Sequence, residues 1–135
     1  MAGGSGEREN VIRPILDALR ARGIAITHDW TTDEGYVRPP SQSESRESAR
    51  KDLDGVRAAD LVWIVAPAEK SEGAGVELGA ALALRKRVLV SGPHARRNIF
   101  ALLAEVHDSH ASAFEEVLGA AFAFSAPSPV VGSAP

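Results

Sequence analysis

Residues 61–66 read Leu-Val-Trp-Ile-Val-Ala, an apolar run with no polar residue at alternate positions. A strand with one solvated face alternates apolar and polar residues, whereas a strand buried on both faces does not. The run therefore predicts a central strand of a parallel sheet, with Trp63 in the core. A second run, Val-Leu-Val-Ser at 88–91, predicts another buried strand.

An amphipathic helix is predicted near the start of the chain. Its apolar residues recur at helical spacing: Val11, Ile12, Ile15, Leu16 and Leu19. Gly23 stands where a helix ends in a left-handed residue. Because Pro14 removes a backbone donor, the regular part is expected to begin near Asn10 or Val11.

The remaining elements follow from the same patterns and define the fold class. We predict a strand at 23–28, a helix at 44–58 capped by Ser43, a helix from the small-residue segment 73–79 through 80–86, a short helix at 99–103, an edge strand at 105–109 and a helix at 111–124. Helices alternating with strands predict an α/β domain of three α/β/α layers. Its doubly wound, flavodoxin- or Rossmann-like parallel sheet should have about five strands, with ligands bound beyond the carboxyl ends of the strands.

The N-terminus departs from this pattern, because only Met1-Ala2 precedes the glycines where such folds place a first strand. Three explanations stay open: a start further upstream, a truncated N-terminus, or a very short first strand. With 135 residues, the chain has the length of one domain. We expect that domain at 1–124 and a disordered Pro/Ser/Ala-rich tail at 125–135. The polar stretch 29–45 is long enough to be a functional loop or lid.

Composition argues against several function classes. The net charge is −3 and the basic residues are scattered, so a nucleic acid polymer is not an expected partner. The absence of cysteine excludes disulfides and thiolate chemistry. No signal peptide or membrane-length apolar run is visible, so a cytoplasmic location is expected, with no membrane partner. His107 and His110 lack a third ligand, so no metal is expected.

Two acidic residues are the candidates for chemistry. Glu77 is expected in the first turn of a helix, between Gly75 and Gly79, where helix-terminal N–H groups favour its ionised form. The two glycines would line a cleft at the carboxyl end of the central strand, and a carboxylate there can attack an electrophilic sugar carbon. An acidic residue is, however, also common at a helix start. Asp52 is expected either where its helix meets the cleft or at a solvated helix position.

The segment 52–91 carries a family resemblance. Its carriers are Asp52-Leu53, Ala59-Asp-Leu-Val62, Ser71-Glu-Gly-Ala-Gly-Val-Glu-Leu-Gly79 and Lys86-Arg-Val-Leu-Val90. Together they resemble the nucleoside 2-deoxyribosyltransferase superfamily, over Gly3 to about Glu116. The nearest branch is that of the nucleoside 5′-monophosphate N-glycosidases, such as 2′-deoxynucleoside 5′-phosphate N-hydrolase and the CMP and hydroxymethyl-CMP hydrolases.

The resemblance implies a role for each matching residue. Glu77 matches the nucleophile that attacks C1′ of the sugar, and Asp52 the acid that assists the leaving base or the incoming water. It implies phosphate contacts at Ser71, Gly73 and Gly75, phosphate-side contacts at Ser5 and Gly6, and base contacts at Asp29 and Trp30. Ser5 is equally an ordinary helix-leading residue, and Trp30 equally loop packing. His94, Arg96 and Arg97 either meet a phosphate or form a solvated turn.

The resemblance also implies a function. The transferases carry an aromatic residue near the end of the first strand and a carboxyl-terminal group from a neighbouring subunit, and neither is recognisable here. Hydrolysis of a nucleoside 5′-monophosphate to free base and sugar phosphate is therefore favoured over base exchange, and no cofactor is needed. A catalytically silent nucleotide-binding module and an NAD-cleaving enzyme stay open as less favoured functions. A homodimer or higher homo-oligomer is expected, packed through the small-residue helix 79–84.

Overall fold

A parallel sheet forms the centre of the structure, a computed structural model that describes residues 8–29, 39–123 and 131–132. Its strands in chain order are β1 (Leu61–Val65), β2 (Arg87–Ser91), β3 (Glu105–His107) and β4 (Val131–Gly132). Their order across the sheet is β3-β2-β1-β4, and every neighbouring pair is parallel. The predicted α/β class with a parallel sheet is confirmed, with four strands among the described residues rather than about five.

The central strand β1 is buried along its whole length. Leu61, Trp63 and Val65 pack into one apolar cluster, and Val62 and Ile64 into another on the opposite face. Successive side chains of a strand point to opposite faces, so an unbroken apolar run is needed when helices cover both. The core position predicted for Trp63 is confirmed: its side chain is buried and its Nε1–H donates to Ser91 Oγ at 2.7 Å.

Helices cover the two faces of the sheet. One cluster contains buried residues of α1 (Arg13–Ala21) and α4 (His110–Ala123), and the other those of α2 (Gln42–Ala58) and α3 (Glu72–Ala83). A 3₁₀ helix at Ile99–Leu103 precedes β3. The expected three-layer arrangement is therefore present.

Local signals predicted some element ends and missed others. A π-helical turn, Arg8–Ile12, precedes α1, so residues 8 and 9, ahead of the predicted start near Asn10, are already helical. Gly23 has the predicted left-handed backbone, with φ of +78°. The predicted strand at 23–28 was wrong within the described structure, where Ile26 alone makes an isolated bridge.

The start of α2 differs from the prediction by a neighbouring serine. Ser41, rather than Ser43, is the N-cap, and its side chain accepts from the Glu44 N–H while the Glu44 carboxylate accepts from the Ser41 N–H. This reciprocal capping box satisfies two N–H groups at once, and the same box at Ser43 would need a glutamate or glutamine at position 46, where the chain has arginine. At the other end of the chain, Val131–Gly132 pairs with Leu61 and Val62, beside β1 and opposite β2. The domain limit at 124 and the disorder of the tail stay predictions.

Candidate functional site

Helix α3 carries most of the candidate residues. Ser71 is its N-cap and accepts a hydrogen bond from the Ala74 N–H at 3.3 Å. The helix begins at Glu72, so Glu77 is its sixth residue and lies in the second turn. The prediction of a first-turn position for Glu77 was wrong, because the cap lies at Ser71 and the small residues 73–79 are already helical. Free helix-terminal N–H groups therefore do not stabilise its ionised form.

The environment of Glu77 is apolar. Its side chain is 1% exposed, and neither carboxyl oxygen has a hydrogen-bond partner within the described part of the chain. Burial, and to a smaller degree the negative charge of Asp52, raises the pKa of Glu77 to about 8 from an ordinary 4.5. A buried carboxyl without partners costs roughly 1–3 kcal/mol, and strongly perturbed carboxyl groups are frequent at functional sites.

Asp52 lies on α2 and faces the segment that precedes residue 30. Its Oδ1 is 3.1 Å from Nε2 of His28, and each of the two side chains is 17% exposed. Asp52 is therefore not at a solvated helix position. Its negative charge contributes to the raised pKa of Glu77, and the helices α2 and α3 that carry the two acidic groups pack against each other.

A cavity of about 460 Å³ opens at the carboxyl ends of β1 and β2. Ile64, Leu78 and Val90 contribute to its apolar lining. The polar and charged lining comes from Glu69, Lys70, Ser71, His94, Arg97 and Asn98. The position is the one predicted from the doubly wound topology. Glu77 and Asp52, which the sequence placed at the cleft, are not among the residues that line this cavity.

The predicted phosphate-binding residues at the start of α3 differ in whether they line the cavity. Ser71 and Gly75 line the cavity, whereas Gly73 does not. A Cβ built on Gly75 would meet no atom within 4 Å, so internal packing does not require a glycine there. Because Gly75 has no side chain, the cavity is wider at this point of its lining.

The predicted base-contact and amino-terminal residues are only partly described. Asp29 pairs with Arg20 of α1, and its side chain is 11% exposed. The structure thus gives Asp29 a partner within the protein, and its contact with a base stays a prediction. Ser5, Gly6, Trp30 and most of the segment 29–45 lie outside the described residues.

The basic residues of the turn after β2 also differ in whether they line the cavity. His94 and Arg97 line the cavity, and Arg97 donates to the carbonyl oxygen of Ala68 at 2.5 Å. Arg96 instead pairs with Asp108.

Three residues near the site were not predicted from the sequence. Lys70 and Asn98 line the cavity, and His28 contacts Asp52. Neither Lys70 nor Asn98 belongs to a motif that would have marked it. His28 comes directly before Asp29 and Trp30, in the stretch where the resemblance places base-facing residues, and that position could have drawn attention to it.

The described residues offer neither a metal site nor a membrane-spanning helix. They contain no group of three or more His, Cys, Asp and Glu side chains arranged to hold a metal. His107 and His110 contact different serines, Ser112 at 2.7 Å and Ser91 at 2.8 Å. Within the same part of the chain, every helix is too short or too polar to cross a bilayer.

Together these features define a class: an α/β protein with a doubly wound sheet, a cavity at the carboxyl ends of the strands, and a buried glutamate on the helix after the central strand. The sequence model of the nucleoside 2-deoxyribosyltransferase family matches residues 2–124. The chain therefore belongs to the nucleoside 2-deoxyribosyltransferase family, which implies glycosyl transferase or hydrolase activity on a nucleoside or nucleotide. Neither the curated proteins nor the solved structures gave a match.

Proposed function

We propose that this enzyme hydrolyses the N-glycosidic bond of a nucleoside 5′-monophosphate, releasing the free base and a sugar 5-phosphate. The observation that carries the proposal is the carboxyl group of Glu77, which is buried, has neither oxygen hydrogen-bonded among the described residues, and interacts with Asp52. Burial of a carboxyl group without hydrogen-bond partners destabilises the fold, so such a group calls for an explanation. In a family that transfers glycosyl groups, it is suited to attack C1′ of the sugar.

The raised pKa of Glu77 fits this role in a specific way. With a pKa of about 8, most free protein molecules at pH 7 carry the protonated form. Attack on C1′ requires the carboxylate, and positive charge develops at C1′ as the base departs. The ionised form of Glu77 is then stabilised by the reacting sugar itself. An anion in an apolar site interacts more strongly with that developing charge than it would in water.

The 5′-phosphate is the group that distinguishes this substrate class from nucleosides. Lys70, Ser71, His94 and Arg97 supply hydrogen-bond donors to one cavity at the start of α3, which the acidic Glu69 also lines. The positive end of the α3 dipole adds to their attraction for an anion. We assign the phosphate to this end of the site, together with the backbone of Gly73 and Gly75. Ser5 and Gly6 are proposed to complete it, with Asp29 and Trp30 at the base.

Base exchange is the second candidate, because the matched family is defined by deoxyribosyl transfer. Both reactions share the glycosyl-Glu77 intermediate and differ only in the acceptor, which is water or a second base. Incubation with a panel of nucleosides and nucleoside 5′-monophosphates, with chromatographic detection of free base, tests the proposal. Added acceptor base then separates the two reactions, since only exchange forms a new nucleoside or nucleotide.

Glu77→Gln is the matched control for that panel, because it keeps the volume and removes the nucleophile. We expect base release from at least one 5′-monophosphate by the native protein and none by the variant. Release from nucleosides alone would contradict the phosphate assignment. Equal release by the variant would contradict the role of Glu77.

A homodimer is part of the proposal. Ile99, Phe100, Leu102 and Leu103 of the 3₁₀ helix are exposed, as are Val76 and Leu84 at α3, which contacts that helix. The four exposed residues of the 3₁₀ helix form the 99–103 patch. It borders the cavity, since Ile99 is one of the lining residues. Clustered apolar side chains on a surface are typical of protein contacts, so a second copy is proposed to cover the patch.

The cytoplasmic location expected from the sequence also stays a prediction.

A further inference from the structure

His28 and Asp52 form a close pair that the family resemblance did not indicate. Nε2 of His28 is 3.1 Å from Oδ1 of Asp52, within hydrogen-bond distance. Both side chains are largely, but not fully, removed from solvent. The pair joins two elements that are distant in the chain, so its geometry depends on how residues 27–28 lie against α2.

That contact is fixed by two neighbouring features. Thr27 Oγ1 donates to the carbonyl oxygen of Gly55 at 2.9 Å, which ties residue 27 to α2. Gly55 is buried, and a Cβ built there would come within 2.9 Å of His28 Cβ. Only glycine leaves room for this approach. Because Asp52 and Gly55 are three residues apart on a helix, they share the face on which His28 lies.

We propose that His28 is a positioning residue for Asp52 in base release, holding Oδ1 so that the other carboxyl oxygen carries the proton given to the leaving base. This inference rests on the N-glycosidase function proposed for the site. An imidazole N–H at this distance fixes the orientation of a carboxyl group and stabilises the negative charge that appears on it when the proton leaves.

The two steps balance in atoms and electrons. As the substrate binds, the proton that Glu77 carries in the free protein passes to the ionised carboxylate of Asp52. In the first step, a Glu77 oxygen then forms a bond to C1′, the C1′–N bond breaks, its electron pair passes to the base nitrogen, and the proton on Asp52 goes to the base. In the second, a water oxygen forms a bond to C1′ and the Glu77–C1′ bond breaks with its pair returning to Glu77. One proton of the water goes to Asp52 and returns to Glu77 as the products leave, which restores the protonated Glu77 and ionised Asp52 of the free protein.

A purely structural role for His28 makes a different prediction. If the pair only holds residues 27–28 against α2, its loss should reduce activity toward all substrates alike. A positioning role for a proton donor should instead matter only when the leaving group needs a proton. Substrates that differ in their leaving group therefore separate the two roles.

The test compares His28→Leu, His28→Gln and the matched control His107→Leu. Each is assayed on the nucleoside monophosphate that the panel identifies, and on 4-nitrophenyl 2-deoxyribofuranoside 5-phosphate, whose nitrophenolate leaves without a proton. For His28→Leu we expect kcat on the nucleotide to fall about 10²-fold with KM nearly unchanged, as for loss of a general acid, and activity on the nitrophenyl substrate to persist. His28→Gln keeps an N–H donor near the Nε2 position and should recover much of the loss. His107→Leu should match the native protein.

Two results would overturn the inference. One is an equal loss on both substrates, and the other is native kcat on the nucleotide in His28→Leu. Failure of the proposed function looks different, since the native protein would then release neither base nor nitrophenolate. Circular dichroism and thermal melting of each variant identify any that fails to fold. If His28→Leu fails to fold, the ratio of activity on the nucleotide to activity on the nitrophenyl substrate in His28→Gln distinguishes the positioning role from the structural one.

Discussion

Asp52 and Glu77 lie on two different helices, and the negative charge of one opposes ionisation of the other. Burial contributes more to the raised pKa of Glu77 than this repulsion does. The combination keeps Glu77 neutral in the free protein near pH 7, and a neutral buried carboxyl is less costly than a charged one. The proposed nucleophile is thus protonated when the site is empty and becomes ionised as the sugar reacts.

This arrangement predicts a pH-dependent stability. The pKa of Glu77 is raised in the folded state, so between about pH 4.5 and 8 the folded protein binds more protons than the unfolded chain. Stability therefore falls as the pH rises through that window, by at most about 1.4 kcal/mol per pH unit from this group. Glu77→Gln removes the titration and should be near neutral at pH 4.5 and stabilising at pH 8. Urea unfolding at both pH values measures this, and a stability difference independent of pH would contradict the burial of Glu77.

The contact between His28 and Gly55 predicts opposite effects for two alanine substitutions. Gly55→Ala would place a Cβ 2.9 Å from His28 Cβ, so it should destabilise the protein by about 1–3 kcal/mol and lower activity through displacement of His28. Gly119→Ala in α4 is the matched control, because a Cβ there meets no atom within 4 Å. It should stabilise the helix by about 0.5–1 kcal/mol. Chemical denaturation of both variants checks the pair, and equal effects would show that residue 28 does not pack on α2.

A buried hydrogen bond predicts the cost of changing the end of β2. Ser91 Oγ accepts from Trp63 Nε1–H at 2.7 Å and lies 2.8 Å from His110 Nδ1. Ser91→Ala leaves the buried indole N–H without this acceptor and should cost about 1–3 kcal/mol. Ser112→Ala removes an exposed serine in contact with His107 and should cost far less. Thermal unfolding of the two variants tests this, and similar losses would contradict the account of the core.

The 99–103 patch predicts the assembly state. Leu103 is 73% exposed, so Leu103→Asp should not disturb the core, but it places a charge in the proposed contact between copies. The native protein should elute as a dimer and the variant as a monomer in size-exclusion chromatography with light scattering. Glu47→Lys, on the exposed part of α2, is a charge-changing control that should remain dimeric. A monomeric native protein at micromolar concentration would contradict the proposal.

The buried strands and most helices could be predicted from the sequence because their signals are local and strong. The short, unbroken and β-branched apolar run at 61–66 is typical of a strand covered on both faces, and the left-handed glycine at 23 ended α1 as expected. The segment 23–28 was assigned wrongly because a short β-branched run fits a strand equally well whether or not a partner is available. Helix α3 began early because the cap at Ser71 outweighed the low helix propensity of glycine.

The candidate site could be predicted as a set of residues but not as a geometry. Family resemblance indicated Asp52 and Glu77, yet the second-turn position of Glu77 and its lack of hydrogen-bond partners within the described structure depend on tertiary packing. The pair of His28 and Asp52 joins residues 24 positions apart, and no local pattern encodes that contact. The cavity likewise combines the starts of two connections after β1 and β2, which only the sheet brings together.

The central claim is that Glu77 forms a covalent bond to the sugar, and trapping that bond tests it most directly. A 2-fluoro substituent on the sugar slows both steps of a retaining mechanism by destabilising the positive charge at C1′. Incubation with a 2′-fluoro-arabinonucleoside 5′-monophosphate, followed by proteolysis and mass spectrometry, should show a fluorosugar phosphate on the peptide that contains Glu77, and none in Glu77→Gln. A protein that releases base from the natural nucleotide but carries the adduct on another residue would contradict the account.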